Sequence, residues 1–118
     1  MIWRVRDRGT FEALRWSGRR ARRGPVTVTF LPAGPESSTR VAYGVSRKVG
    51  NAVIRNRTRR RLRAVMQHLD ASPDGLRPGT YLVTTRPDVV DVDYDRLAEL
   101  VASACAESSG PPAGTSAR

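Results

Sequence analysis

The stretch RVAYGVSRKVGNAVIRNRTRRRLR, residues 40–63, decides the fold, because two side-chain periods meet within it. From Arg40 to Ser46 large apolar residues alternate with the small Ala42 and Gly44, which is the period of a strand. Over residues 51–69 the apolar residues instead recur at the spacing of a helix. The stretch therefore predicts a strand that leads through a glycine-containing turn into a long helix.

This helix combines an apolar stripe with a high density of arginine. The stripe predicted to face the core consists of Ile54, Leu62, Val65, Met66 and Leu69. Arginines flank the stripe in two columns and also occupy the far side, at positions 55, 59 and 63, at 57 and 61, and at 60. Like charges four residues apart destabilise a helix by roughly 0.2–0.5 kcal/mol per pair. The pattern therefore favours a bound polyanion over a merely solvated face, since solvated faces usually mix charge signs.

The charge of the whole chain supports this interpretation. Its 118 residues carry a net charge of +10, and 20 of the 21 basic residues are arginine. Residues 1–63 hold 17 basic and three acidic side chains, whereas residues 64–118 hold four and eight. The anion-binding surface is therefore expected in the first half, and a polyanion such as RNA or DNA is the expected partner.

The remaining segments predict a small α+β sandwich. A short helix begins at Thr10 and ends at Gly18, and Asp93 is a good N-cap for a last helix. Two further segments, Pro25–Leu31 and Gly79–Arg86, have the pattern of strands, and Arg19–Arg23 is taken as part of a longer first hairpin. The expected order is α-β-β-β-α-β-α, with one mixed sheet and a long basic central helix. We expect one domain over residues 1–107 and a disordered tail over residues 108–118, which are rich in Gly, Pro, Ser and Ala.

The sequence contains no convincing catalytic or metal-binding set. His68 is the only histidine and Cys105 the only cysteine, so no His pair and no disulfide can form within the chain. Four acids cluster at positions 88, 91, 93 and 95, and the last three resemble the start of a calcium loop, but Arg96 stands where its glycine belongs. We expect these acids to lie at a helix N-terminus, with a metal site as the less favoured alternative. No apolar run approaches the length of a membrane span, and a cytoplasmic protein is expected.

Residues 40–63 resemble the protein subunit of bacterial ribonuclease P. The resemblance lies in Val45–Val53, read VSRKVGNAV, followed by the Arg55-Asn56-Arg57 core and by Arg59, Arg60, Leu62 and Arg63. It implies a protein that assists a catalytic RNA, which cleaves precursor tRNA with Mg²⁺ to produce the mature 5′ end. It also implies a left-handed crossover between two parallel strands, against the usual right-handed rule.

The resemblance implies two sets of site residues. The catalytic RNA would contact Arg47, Lys48, Asn51, Arg55, Asn56, Arg57, Arg59, Arg60, Arg61 and Arg63. A cleft for the single-stranded 5′ leader of the substrate would contain Phe11, Arg15, Thr29 and Arg86. Phe11 matches one of the family's cleft aromatics, while Arg15 and Thr29 stand where the family has aromatic rings. No catalytic residue and no metal site is expected in the protein itself.

Two other functions are compatible with a basic surface that lacks catalytic residues. A ribosomal-protein-like module would bind folded RNA without taking part in processing. A self-sufficient nuclease would cleave RNA alone, but the single His68 argues against this.

Overall fold

The computed structural model describes residues 2–5, 7–34, 38–73 and 75–110. Its centre is a five-stranded mixed sheet. Its strands are β1 (Ile2–Arg4), β2 (Arg19–Arg23), β3 (Val26–Pro32), β4 (Thr39–Val45) and β5 (Gly79–Thr85). Their spatial order is β1-β4-β5-β3-β2. The pairs β1–β4 and β4–β5 are parallel, and β5–β3 and β3–β2 are antiparallel. The predicted α+β class with one mixed sheet is confirmed.

The first strand, β1, is absent from the predicted order. Ile2–Arg4 pairs in parallel with β4, with Ile2 opposite Thr39 and Arg4 opposite Val41. Three residues are too few to show a strand period, so only the tertiary pairing reveals this strand. The corrected order is β-α-β-β-β-α-β-α.

Three helices cover the two faces of the sheet: α1 (Arg8–Ser17), α2 (Ala52–Ala71) and α3 (Tyr94–Ser109). Side chains at the N-caps explain where they begin. The Asp7 carboxylate accepts a hydrogen bond from the Thr10 N–H at 2.8 Å, and Asp93 accepts one from the Arg96 N–H at 2.8 Å. The predicted helix end at Gly18 and the predicted N-cap at Asp93 are confirmed.

The core lies between the sheet and the pair α2 and α3. Side chains from the sheet and from both helices are fully buried there, among them Val28, Leu62, Tyr81 and Leu97. The opposite face of the sheet carries α1, which lies across β3 and β5. Helix α2 connects the adjacent parallel strands β4 and β5, as expected, and the left-handed sense of this crossover stays a prediction.

Two expectations need correction. Ile54, predicted to face the core, is 38% exposed, because it lies in the first turn of α2 and packs over Gly50 rather than over the sheet. The tail was expected to begin at residue 108, but α3 continues to Ser109 and the Ser108 side chain is buried. Residues 111–118, the rest of that predicted tail, lie outside the described residues.

Candidate nucleic-acid interface

Helix α2 presents its arginines on three sides, as its sequence period predicts. Arg59 and Arg63 lie on the side of β4 and β1, where the Arg63 guanidinium is 5.7 Å from the centre of the Tyr43 ring. Arg61 lies on the opposite side and donates a hydrogen bond to the Val92 carbonyl at 2.6 Å. Arg60 is exposed to solvent. The helix is therefore basic around every side that does not pack on the core.

Among the residues that the structure describes, these charges have no neutralising carboxylate. The ion pairs formed among the described residues join Arg23 to Glu107, Arg40 to Asp7 and Arg96 to Glu99, and none includes an arginine of α2. In addition, the Arg55 Nε is buried without a hydrogen-bond partner among the described residues. A buried donor without an acceptor is costly, and a phosphate oxygen would satisfy it.

A second group of predicted residues lies where β4 and β5 end. Arg47 and Lys48 form an exposed 3₁₀ turn, Arg47–Val49, directly after β4. Arg86 is also exposed, directly after β5, and it precedes a second 3₁₀ turn, Pro87–Asp91, that packs against the first. The carboxyl ends of parallel strands lie at one edge of a sheet, so these three cations share that edge.

Asn51 has a structural role at the same edge. Its side-chain oxygen accepts a hydrogen bond from the Ile54 N–H at 3.0 Å and caps α2. Asn51 remains exposed. Asn56, also in the predicted set, accepts a hydrogen bond from Arg59 at 2.8 Å and orients that guanidinium.

The predicted leader cleft is only partly exposed. Phe11 and Arg15 lie one turn apart on α1; Phe11 is 41% exposed, and the Arg15 guanidinium lies 5.9 Å from the centre of the Trp16 ring. Thr29, in contrast, is only 4% exposed, because the end of α1 covers it. A β-carbon at Gly18 would lie 2.4 Å from the Thr29 methyl group. The structure thus brings Phe11 and Arg15 to the surface and leaves Thr29 beneath it.

A cavity of about 480 Å³ opens beside β1, between α1 and α2. Its walls include three aromatic rings and three polar side chains of α2, namely Trp3, Phe11, Tyr43, Arg59, Arg63 and Gln67. Burial raises the pKa of the Tyr43 phenol to about 12, so its hydroxyl stays protonated at neutral pH. Sequence reasoning missed Trp3 and Gln67 as site residues. Trp3 meets the other rings only through the β1–β4 pairing, whereas Gln67 continues the α2 column of Arg59 and Arg63.

The described residues contain no group of three or more His, Cys, Asp and Glu side chains that could hold a metal ion. His68, the only histidine, is exposed in the last turn of α2. No helix within the described ranges is both long and apolar enough to cross a membrane. The arrangement can bind a polyanion through arginine and can stack aromatic rings on bases.

Comparisons with known proteins identify a family. The family model described as Ribonuclease P matches residues 2–108. The ribonuclease P protein component of Thermobifida fusca is 35% identical over 123 residues, which cover 98% of this chain and 82% of that protein. The component of a Nocardioides species is 45% identical over 86 residues, covering 70% and 69%.

Solved structures agree on the fold. The RNase P protein of Staphylococcus aureus matches with a TM-score of 0.79 at 18% identity, covering 91% of this chain and 95% of that one. The RNase P protein of Thermotoga maritima matches with a TM-score of 0.76 at 22% identity, covering 91% and 98%.

Proposed function

The chain belongs to the ribonuclease P protein family, and from this membership we propose that it assists a catalytic RNA in removing the 5′ leader of precursor tRNA. The observation that carries the proposal is the arginine surface of α2, which forms no ion pair among the described residues. A protein that neutralises several phosphates releases their counterions, and this release supplies much of the binding free energy. The proposed substrate also places the protein in the bacterial cytoplasm.

The exposed side chains of α2 and of α1 suggest a division of the RNA-binding surface into two parts. The arginines of α2, with Arg47 and Lys48, contact the catalytic RNA. The 5′ leader lies along α1, where the exposed ring of Phe11 stacks on a base and Arg15 contacts phosphate. Arg86 adds a cation at the edge where β4 and β5 end. Thr29 is left out of this leader surface, because α1 covers it.

The chemical step belongs to the RNA partner in this proposal. The described residues do not fit a Mg²⁺ site of their own, since no three carboxylate, His or Cys groups come together. In this proposal the RNA holds the Mg²⁺, and the protein contributes binding and orientation.

Reconstitution tests the proposal directly. The purified protein is mixed with its cognate catalytic RNA at low Mg²⁺, and cleavage of precursor tRNA is measured with and without protein. We expect faster cleavage with protein and no cleavage by protein alone. Unchanged cleavage would refute the proposal, and so would recovery from cells of ribosomal RNA as the dominant bound species.

A matched pair of arginine variants tests the role of α2. Arg60→Ala removes an exposed cation of α2, and Arg96→Ala removes an exposed cation of α3. If Arg60 contacts one phosphate, its loss reduces the magnitude of the negative slope of log K against log salt by about 0.7–0.9. Arg96→Ala should leave that slope unchanged. Equal slopes for Arg60→Ala and the parent protein would contradict this contact.

A further inference from the structure

The cavity beside β1 is separate from most of the proposed leader surface. It exists because β1 ends at Arg4, whereas its neighbour β4 continues to Val45. The edge of β4 is therefore open beyond Val41, and α1 and α2 form the two sides of the gap. Of the predicted cleft residues only Phe11 borders this cavity.

Two of the rings at this cavity are exposed to solvent. Trp3 is 53% exposed and Phe11 is 41% exposed. Exposed aromatic surface beside a cavity gains free energy when a flat apolar ligand covers it. Tyr43 forms part of the wall below, where the Arg63 guanidinium covers its ring.

The polar groups at the cavity match RNA. Among the lining residues the charged ones are all arginines, and no carboxylate is present. Arg59 and Arg63 belong to the same column of α2 as Arg55, so the cavity continues the proposed RNA surface. Gln67 is exposed, and its amide offers a donor and an acceptor for the edge of a base.

We propose that this cavity binds one unpaired nucleobase of RNA, which stacks on Trp3 and is read by Gln67. Its volume of about 480 Å³ lies within the range of about 300–1,000 Å³ for small-ligand sites. The base comes either from the 5′ leader or from the catalytic RNA. The inference rests on the proposed function, because it requires that RNA reach α2.

The two tryptophans of the chain allow a direct test by fluorescence. Trp16 is 78% exposed on α1 and does not border the cavity, so it can be replaced without changing the cavity lining. The variant Trp16→Phe reports on Trp3 alone, and Trp3→Phe reports on Trp16 alone. Each is titrated with the catalytic RNA, and the resulting complex then with precursor tRNA or with mature tRNA.

Stacking of a base should quench the emission of Trp3. Quenching by the catalytic RNA alone assigns the base to that RNA. Quenching that appears only with precursor tRNA, and not with mature tRNA, assigns it to the leader. Unchanged Trp3 emission in a complex saturated with precursor tRNA would overturn the inference and leave the proposed function intact. Failure of the protein to bind either RNA would instead refute both.

Affinity measurements provide an independent check. Loss of one stacked base should weaken binding of the assigned RNA at least about fivefold in Trp3→Ala. Trp3→Phe should restore most of that affinity, since it keeps an aromatic ring. Equal affinities of Trp3→Ala and the parent protein, with the variant folded by circular dichroism, would contradict base stacking on Trp3.

Discussion

Asn51 offers a sharp test because it combines two roles that different substitutions separate. Its side-chain oxygen caps the 20-residue helix α2 through the Ile54 N–H at 3.0 Å, and its exposed position lies beside the Arg47–Val49 turn. Asn51→Ala removes the cap, whereas Asn51→Asp keeps an acceptor but adds a negative charge. The two roles therefore predict opposite rankings of the variants in stability and in RNA binding.

The expected magnitudes follow from the cap geometry and from Coulomb's law. Loss of an N-cap costs about 0.5–2 kcal/mol, and a change of 1 kcal/mol shifts the melting temperature of a domain of this size by about 4 °C. A carboxylate at a helix N-terminus contributes about 0.3–1 kcal/mol instead, so Asn51→Asp should melt at or above the parent temperature. A carboxylate about 6 Å from a phosphate costs about 2–3 kcal/mol at an effective dielectric constant of 20. That cost weakens RNA binding about 30-fold or more.

Thermal unfolding by circular dichroism and RNA binding by fluorescence anisotropy measure the two effects. Asp93→Ala is the matched control, because it removes the N-cap of α3, where the Asp93 carboxylate accepts from the Arg96 N–H at 2.8 Å. It should lose stability and bind the catalytic RNA as the parent does. If Asn51→Asp binds RNA with the parent's affinity, Asn51 is a cap alone. If Asn51→Asp melts as low as Asn51→Ala, the capping argument fails.

Three further predictions concern α1 and the core. Phe11→Ala should reduce affinity for precursor tRNA more than for mature tRNA, because the ring is 41% exposed on the proposed leader surface; equal losses in a binding titration would remove Phe11 from it. Hydrogen bonds from the Thr10 side chain and backbone hold the pKa of the Asp7 carboxyl below its ordinary value. Above about pH 4 the parent should therefore have a higher melting temperature than Asp7→Asn. This difference in melting temperature should disappear as the pH falls through the lowered pKa of Asp7. An advantage that persists at pH 2 would contradict the assignment. Burial raises the pKa of the Cys105 thiol to about 12, so a thiol reagent should label it at neutral pH only in denaturant; rapid labelling of the native protein would show that α3 opens.

The positions of most elements could be predicted because their signals are local. Alternation in β3 and β4 and the arginine-flanked stripe of α2 involve residues close in the chain, and a side chain's face follows from its period alone. Asp93 and Gly18 mark helix ends for the same reason. The arginine columns also lie on opposite sides of α2, with Arg63 over Tyr43 and Arg61 bonded to Val92.

The errors of prediction arise where distant segments meet. Thr29 has the alternation of an exposed strand residue, but the end of α1 covers it. Ile54 is a different case, because it has the period of a core residue but packs over the neighbouring Gly50 in the first turn of α2.

The sequence by itself determined the α+β class, the basic first half and the resemblance to a known family, because composition, period and motif are properties of neighbouring residues. Only the tertiary structure decided that β1 pairs with β4 and that Trp3 lies beside Phe11 and Gln67. The physical reason is that β1, α1 and α2, which are separate segments of the chain, together line the cavity. Which elements adjoin depends on strand pairing across the whole sheet, and no local period encodes that pairing.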